Sequence, residues 1–157
     1  MPPAQPINII IDTREQTPYT FANIQPRPRT QFATLRTGDY SLDGLQTEIT
    51  IERKSLQDAF NTFGRGRRRF ERELHRMKTF TFAAVILEAD WTTVLRYPPT
   101  HSKLNPKIIY ASVIAWQQRF NVHFWLCPNR AFAEKTTYRL LERFWKDHPD
   151  AKRPQSN

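Results

Sequence analysis

Glu52 and Lys54 stand two residues apart in the run ITIERK, which alternates as a strand does. Residues two apart on a strand point to one face. An acid and an amine side by side suit phosphodiester hydrolysis. Carboxylate oxygens hold a hard divalent cation, and a lysine orients or helps deprotonate an attacking water and steadies the charge that develops. Asp39 becomes a second metal ligand if the chain folds back as a hairpin between it and Glu52. Asp12 closes the apolar run INIIID and is a candidate third ligand, at the end of a strand suited to pair with that hairpin. Acids crowded together repel one another without a cation, which is a reason to expect a metal.

Each residue also has a plainer reading. A Glu-x-Lys pair on an exposed strand is often a surface ion pair worth almost nothing. Asp39, before Tyr40, is equally turn chemistry. Asp58 lies three residues after Ser55 and completes a capping box for a helix that starts there. Arg14 and Glu15 are adjacent and form a local salt bridge on that reading. Arg53 shares the other strand face with Ile49 and Ile51, where a buried acid such as Asp12 or Glu15 would pair with it.

The elements that must position these groups follow from local patterns. Residues 7–12 are β-branched and too few for a normal helix, so they read as a strand. Residues 19–32 contain Pro26 and Pro28 and read as a loop or irregular arm. Its Arg27 and Arg29 either touch a phosphate backbone or are simply solvated. Residues 32–36 are a candidate short strand. Tyr40–Leu42 and residues 48–53 make an antiparallel hairpin around Asp43-Gly44. After Ser55 the period changes: Leu56, Ala59, Phe60 and Phe63 give a helical apolar face. Gly64 and Gly66 break it before a second helix over Arg67–Met77. Phe82–Leu87 is continuously apolar, as a strand buried on both faces would be. Residues 91–95 read as a brief helix or an edge element. Pro106–Phe120 is a helix with Ile109, Val113, Trp116 and Phe120 inward, and residues 122–126 are a strand. Residues 131–145 are a helix whose apolar face is Phe132, Tyr138, Leu141 and Trp145. A Pro-rich lead-in at 1–6 and a polar tail at 147–157 flank a core of about residues 7–146. Helices between strands predict an α/β fold, a mixed central sheet flanked by helices on both faces. The whole chain of 157 residues reads as one domain.

The net charge of +9 points to a polyanionic partner, nucleic acid first and anionic membrane second. Its densest source is residues 65–78, with seven Lys/Arg against two Glu. Arg65, Arg67, Arg68 and Arg69 follow the acids closely enough to clamp phosphates; the alternative is a solvated helix whose arginines pair partly with Glu71 and Glu73. The string GRGRRRF lacks the GK[ST] of a phosphate loop, so nucleotide hydrolysis is not expected. The four histidines have no ligand spacing, and the single Cys127 excludes an internal disulfide and a cysteine zinc site. Absence of a leader or a long apolar run predicts an intracellular, cytoplasmic protein, including one made by a virus within its host cell. The late aromatics (Trp116, Phe120, Phe124, Trp125, Phe144 and Trp145) read as core more than as base-stacking platforms.

The ordered motifs Asp12-Thr13-Arg14-Glu15, Gly38-Asp39 and Glu52-Arg53-Lys54, with Asp58 three residues on, resemble the nuclease domain of the XPF family of structure-specific DNA endonucleases. That family is a branch of the restriction-endonuclease-like superfamily. The similarity spans about residues 7–130 and is strongest over 7–80. It implies that fold, and Mg²⁺ or Mn²⁺ held by Asp39 and Glu52, with the Arg53 carbonyl as a further ligand. It implies Lys54 as the catalytic lysine, and Asp12, Arg14, Glu15, Arg53 and Asp58 as the supporting set. It also implies cleavage of branched or flap-containing DNA and pairing as a homodimer through the nuclease domain. A tandem helix-hairpin-helix domain, common in the family, does not follow. The expectation is therefore a stand-alone nuclease whose selectivity comes from its own surface, a dimer or a partner protein.

The function expected is thus a divalent-metal-dependent endonuclease acting on branched, flap or junction DNA, in recombination, repair or replication. The alternatives are a non-catalytic DNA-binding protein of the same fold and an RNA-processing nuclease.

Overall fold

The alternation of residues 49–54 decides which layer each side chain of the motif meets. In the computed structural model, which describes residues 5–149, β1 (Asn8–Asp12), β2 (Arg29–Ala33), β3 (Tyr40–Leu42), β4 (Ile49–Lys54), β5 (Phe82–Leu87) and β6 (His123–Leu126) form one sheet in the order β2-β1-β3-β4-β5-β6. Pairing is antiparallel where β3 meets β1 and β4, and parallel at the other three contacts. The mixed sheet and the β3–β4 hairpin are those expected.

Helices α1 (Leu56–Phe63), α2 (Arg67–Met77), α3 (Trp91–Arg96) and α4 (Pro106–Phe120) supply the apolar layer on one face, and α5 (Arg130–Asp147) covers the other. The central strand β5 serves both: Ala84 and Ile86 join the α5 layer, Ala83, Val85 and Leu87 the α1–α4 layer. On β4, Ile49 and Ile51 join the α5 layer. By the same alternation Arg53 points to that layer, and Glu52 and Lys54 point toward α1 and α2.

The helix starts are set by side-chain caps. Ser55 accepts from the Asp58 amide while the Asp58 carboxylate accepts from the Ser55 amide, the expected capping box. Asp90, Asn105 and Asn129 cap α3, α4 and α5. The Asp90 cap decides residues 91–95 in favour of a helix.

Three local expectations change. The strand foreseen at 32–36 is shifted back to Arg29–Ala33, because parallel pairing with β1 sets Arg29 opposite Asn8 and Ala33 opposite Asp12. On α5, Phe132 is half exposed, and Ala133, Thr137, Tyr138, Leu141 and Phe144 are the buried residues. Arg14 pairs with Asp12, not with its neighbour Glu15. Residues 1–4 of the Pro-rich lead-in and 150–157 of the polar tail lie outside the described residues.

Candidate active site

Gly38 is what lets the chain place Asp39 at the end of β4. Its φ is +79°, in the left-handed region, and a Cβ there would collide with the Thr50 side chain and stand 3.2 Å from the Ile51 carbonyl. The Asp39 amide donates to the Ile51 carbonyl, and the Asp39 carbonyl accepts from the Asp12 amide, both at 2.8 Å. Asp39 is thus stitched between β1 and β4. Its Oδ2 accepts the Arg53 amide at 2.7 Å, which holds the carboxylate beside the Glu52–Lys54 segment.

Lys54 Nζ donates to Glu52 Oε1 at 3.1 Å, with both side chains largely buried. The ammonium also lies 4.4 Å from the centre of the Phe70 ring on α2. Asp39, Glu52, Lys54, Arg14, Glu15 and Asp58 line one open cleft of about 550 Å³.

Burial pushes the Asp39 carboxyl up to about 6; the Arg53 amide and Lys54 oppose this and the Glu15 charge adds to it. Burial likewise drives Glu52 well above the usual carboxylate range, helped by the charges of Asp39 and Glu73 and resisted by Lys54. Low-dielectric surroundings and like charges both disfavour the ionised acids. The pair is therefore short of positive charge, and Lys54 alone does not restore it. Its hard oxygen donors and open side suit a divalent cation that keeps several of its waters.

Arg53 turns the other way. It donates to Glu15 at 2.9 and 3.0 Å, to Glu88 at 2.6 Å and to Thr17 Oγ1 at 2.6 Å. Burial works against its charge, but the two carboxylates outweigh it and its pKa is raised. Glu15 is pushed up by burial, yet Arg53 and the Thr17 amide hold it below its usual value.

Other expectations fall out differently. Asp12 is buried and its carboxylate is taken by the Arg14 guanidinium at 2.9 Å and the Leu35 amide at 2.9 Å. Among the described residues no three His, Cys, Asp or Glu side chains are set to hold a metal, and Asp12, expected as a third ligand, ties β1 to the segment after β2 through the Leu35 amide. Asp58 combines both expectations, capping α1 and lining the cleft.

The arginine run also divides. Arg65 and Arg69 line a second hollow of about 540 Å³ that shares Glu52 and Lys54 with the first. Arg68 is exposed on α2. Arg67 turns to α4 and to its own helix: it donates to Ser112 Oγ at 2.7 Å, lies 4.5 Å from the Trp116 ring centre and pairs with Glu71 at 3.4 Å, as the solvated-helix alternative foresaw in part. Arg27 and Arg29 are exposed, but Arg29 pairs with Asn8, at the end of β1 away from Asp12. They are not brought to the cleft.

Four groups at the site were missed in the sequence. Glu73, on α2, raises the pKa of Glu52 and accepts from Thr37 Oγ1 at 3.4 Å. Glu88, just after β5, accepts from Tyr19 at 2.8 Å, Arg53 at 2.6 Å and Arg130 at 3.2 Å. Arg130 stands 4.6 Å from the Tyr19 ring centre. An acid closing a fully apolar strand next to the motif strand was the available signal for Glu88; Tyr19 and Arg130 had none.

A profile of the ERCC4 domain family matches residues 11–140. The structure of XPF from Aeropyrum pernix superposes with a TM-score of 0.69 at 16% sequence identity, covering 92% of this chain and 68% of that one. A second, XPF from Aeropyrum pernix in complex with DNA, gives 0.66 at 17% identity, with 96% and 68% covered. A comparison with curated protein sequences gives no match. The expected restriction-endonuclease-like architecture is therefore present.

Proposed function

The chain belongs to the ERCC4 domain family, that of the XPF nuclease domain, and from that premise we propose that it is a divalent-metal-dependent endonuclease that hydrolyses phosphodiester bonds in branched or flap-containing DNA. The observation that carries this reading is the convergence of Asp39, Glu52 and Lys54 on one open cleft, with Glu52 bonded by Lys54 and Asp39 by the Arg53 amide. DNA as the substrate is supported by the basic surface beside that cleft and by the matching fold of an XPF described in complex with DNA.

On this reading Asp39 and Glu52, with the Arg53 carbonyl, hold Mg²⁺ or Mn²⁺. When bound, the cation supplies charge stabilisation at the phosphodiester and favours ionised water at neutral pH. The chain's own groups do the rest. Lys54 keeps its ammonium at Glu52, where it orients water and stabilises charge on the phosphoryl oxygens. Arg53, anchored through Glu15 and Glu88, fixes the backbone from which both Glu52 and Lys54 project. Arg65 and Arg69, and Arg68 beside them, contact backbone phosphates. Arg14 and Asp58 line the cleft and bound the substrate path. The core of about residues 7–146 acts as one nuclease domain, and the exposed aromatics Trp125 and Phe132 suit pairing of two copies.

The test is cleavage of labelled duplex, single-stranded, flap and four-way-junction DNA, and of matched RNA, with Mg²⁺, Mn²⁺ or EDTA. Cutting of flap or junction DNA that EDTA abolishes, and that Asp39→Asn and Lys54→Ala each lower by about 10²-fold or more, supports the proposal. No cutting by the parent protein, or cutting by both variants at the parent's rate, overturns it.

A further inference from the structure

The cleft does not end at the acids. It shares Asn61 and Thr62 with the second hollow, and that hollow shares Asn61 and Arg65 with a third of about 670 Å³. This third hollow lies between α1 and the segment that joins α3 to α4. Its polar walls are Gln57, Asn61 and Arg65 on one side and His101, Ser102 and Lys103 on the other. Its base includes Leu104, partly buried against the apolar layer of α1, α2 and α4.

Charge changes along this track. The first hollow contains Glu15, Asp39, Glu52 and Asp58, and the second Glu52 and Glu73. The third has no acid in its lining, while it has Arg65, Lys103 and the titratable His101. Neither Arg65 nor Lys103 makes an ion pair with a described residue. Unpaired cations on both walls of a groove are what a phosphodiester backbone requires, and amide and hydroxyl side chains between them add sequence-independent hydrogen bonds.

We infer that this third hollow is a binding site for a single DNA strand, seating the phosphates of the arm that runs on from the cut position past Asn61 and Arg65. The assignment rests on the nuclease reading for its direction along the strand, but not for its chemistry. Lys103 and His101 form its outer wall, Arg65 its inner wall, and Gln57, Asn61 and Ser102 are the hydrogen-bonding groups. The site accounts for selectivity for DNA with a free arm, because a blunt duplex ending at the acids leaves it empty.

The experiment is binding of a labelled fork carrying one single-stranded arm, and of a blunt duplex of the same length, in EDTA so that no cutting intervenes. Lys103→Glu is compared with Lys135→Glu, an equal charge change at an exposed position of α5, which covers the opposite face of the sheet. Lys103→Glu is expected to weaken fork binding about fivefold to tenfold and duplex binding little. Lys103→Ala should flatten the salt dependence by roughly 0.7–0.9 in the log–log slope, one phosphate contact. A photo-crosslinker on Ser102→Cys, which leaves the cations in place, should capture the arm. Equal losses for the two charge reversals, or capture of the duplex portion alone, would overturn the site. If the arm binds here while the parent protein cuts nothing, the binding site stands and the nuclease reading fails.

Discussion

The Arg53 amide donates to Asp39 Oδ2 at 2.7 Å across 14 residues of sequence. The same Arg53 sends its side chain to the opposite face of the sheet, to Glu15 and Glu88. One residue therefore fixes the second acid of the site by its backbone and anchors its own strand by its side chain.

Stability should report the charge shortage at Asp39. Its folded-state pKa is raised to about 6 by burial, so the neutral acid is the form the fold favours. Relative to an isosteric amide, the wild-type acid costs nothing below its ordinary pKa. The cost grows as pH rises from about 4 to about 6 and levels off above that. Asp39→Asn keeps an acceptor for the Arg53 amide and removes the charge. It should melt level with wild type near pH 4 and higher at pH 8, by about 3 kcal/mol or several degrees in EDTA. Mg²⁺ should raise the wild-type melting temperature and close the gap. A gap that stays constant with pH would remove the electrostatic cause.

The arginine run should split by function. Arg65→Ala with Arg69→Ala should weaken DNA binding and flatten its salt dependence, with melting unchanged, because neither side chain is ion-paired to a described residue. Arg67→Ala loses the bond to Ser112 and the contact with Trp116. It should cost about 1–2 kcal/mol in urea unfolding while leaving the salt slope of binding nearly unchanged. Equal salt effects for the two would merge them into one phosphate clamp.

Most elements were legible because their patterns are local. The capping box at Ser55 and Asp58, the apolar run of β5 and the α4 periodicity each lie within one segment. The Glu52–Lys54 face followed from strand alternation alone. What was illegible depends on pairing between segments: β2 runs parallel to β1, so Arg29 falls at the far end from the acids, and Arg67 meets Ser112, 45 residues away. Asp12 was readable as the acid that ends β1, but its bond from the Leu35 amide, 23 residues away, was not. Glu88 became meaningful only when parallel pairing brought β5 beside β4.

Glu88 should matter more than any surface ion pair. It and Arg53 are both more than nine-tenths buried as side chains, whereas Arg130 is 45% exposed. Glu88→Ala leaves the Arg53 guanidinium with one carboxylate fewer and the Tyr19 hydroxyl without its acceptor. Loss of about 3 kcal/mol is expected, against less than about 1 kcal/mol for Arg130→Ala. Urea unfolding measures both. Comparable small losses would mean that Glu15 and Thr17 alone suffice to hold Arg53.

Gly38→Ala tests how tightly the turn before Asp39 is specified. Two costs add there. An alanine at φ +79° is strained by about 1–2 kcal/mol, and its Cβ would meet the Thr50 side chain, whose hydroxyl donates to the Thr37 carbonyl at 3.0 Å. Overpacking adds roughly 1–3 kcal/mol, for a total of about 2–5 kcal/mol. The two parts separate in a second variant. Thr50→Ala removes the colliding hydroxyl, so Gly38→Ala made in that background should cost only the backbone strain and the 3.2 Å approach to the Ile51 carbonyl. If the cost of Gly38→Ala is the same in both backgrounds, Thr50 is not what demands glycine. If it vanishes in the Thr50→Ala background, crowding alone does, and the left-handed turn contributes nothing to placing Asp39.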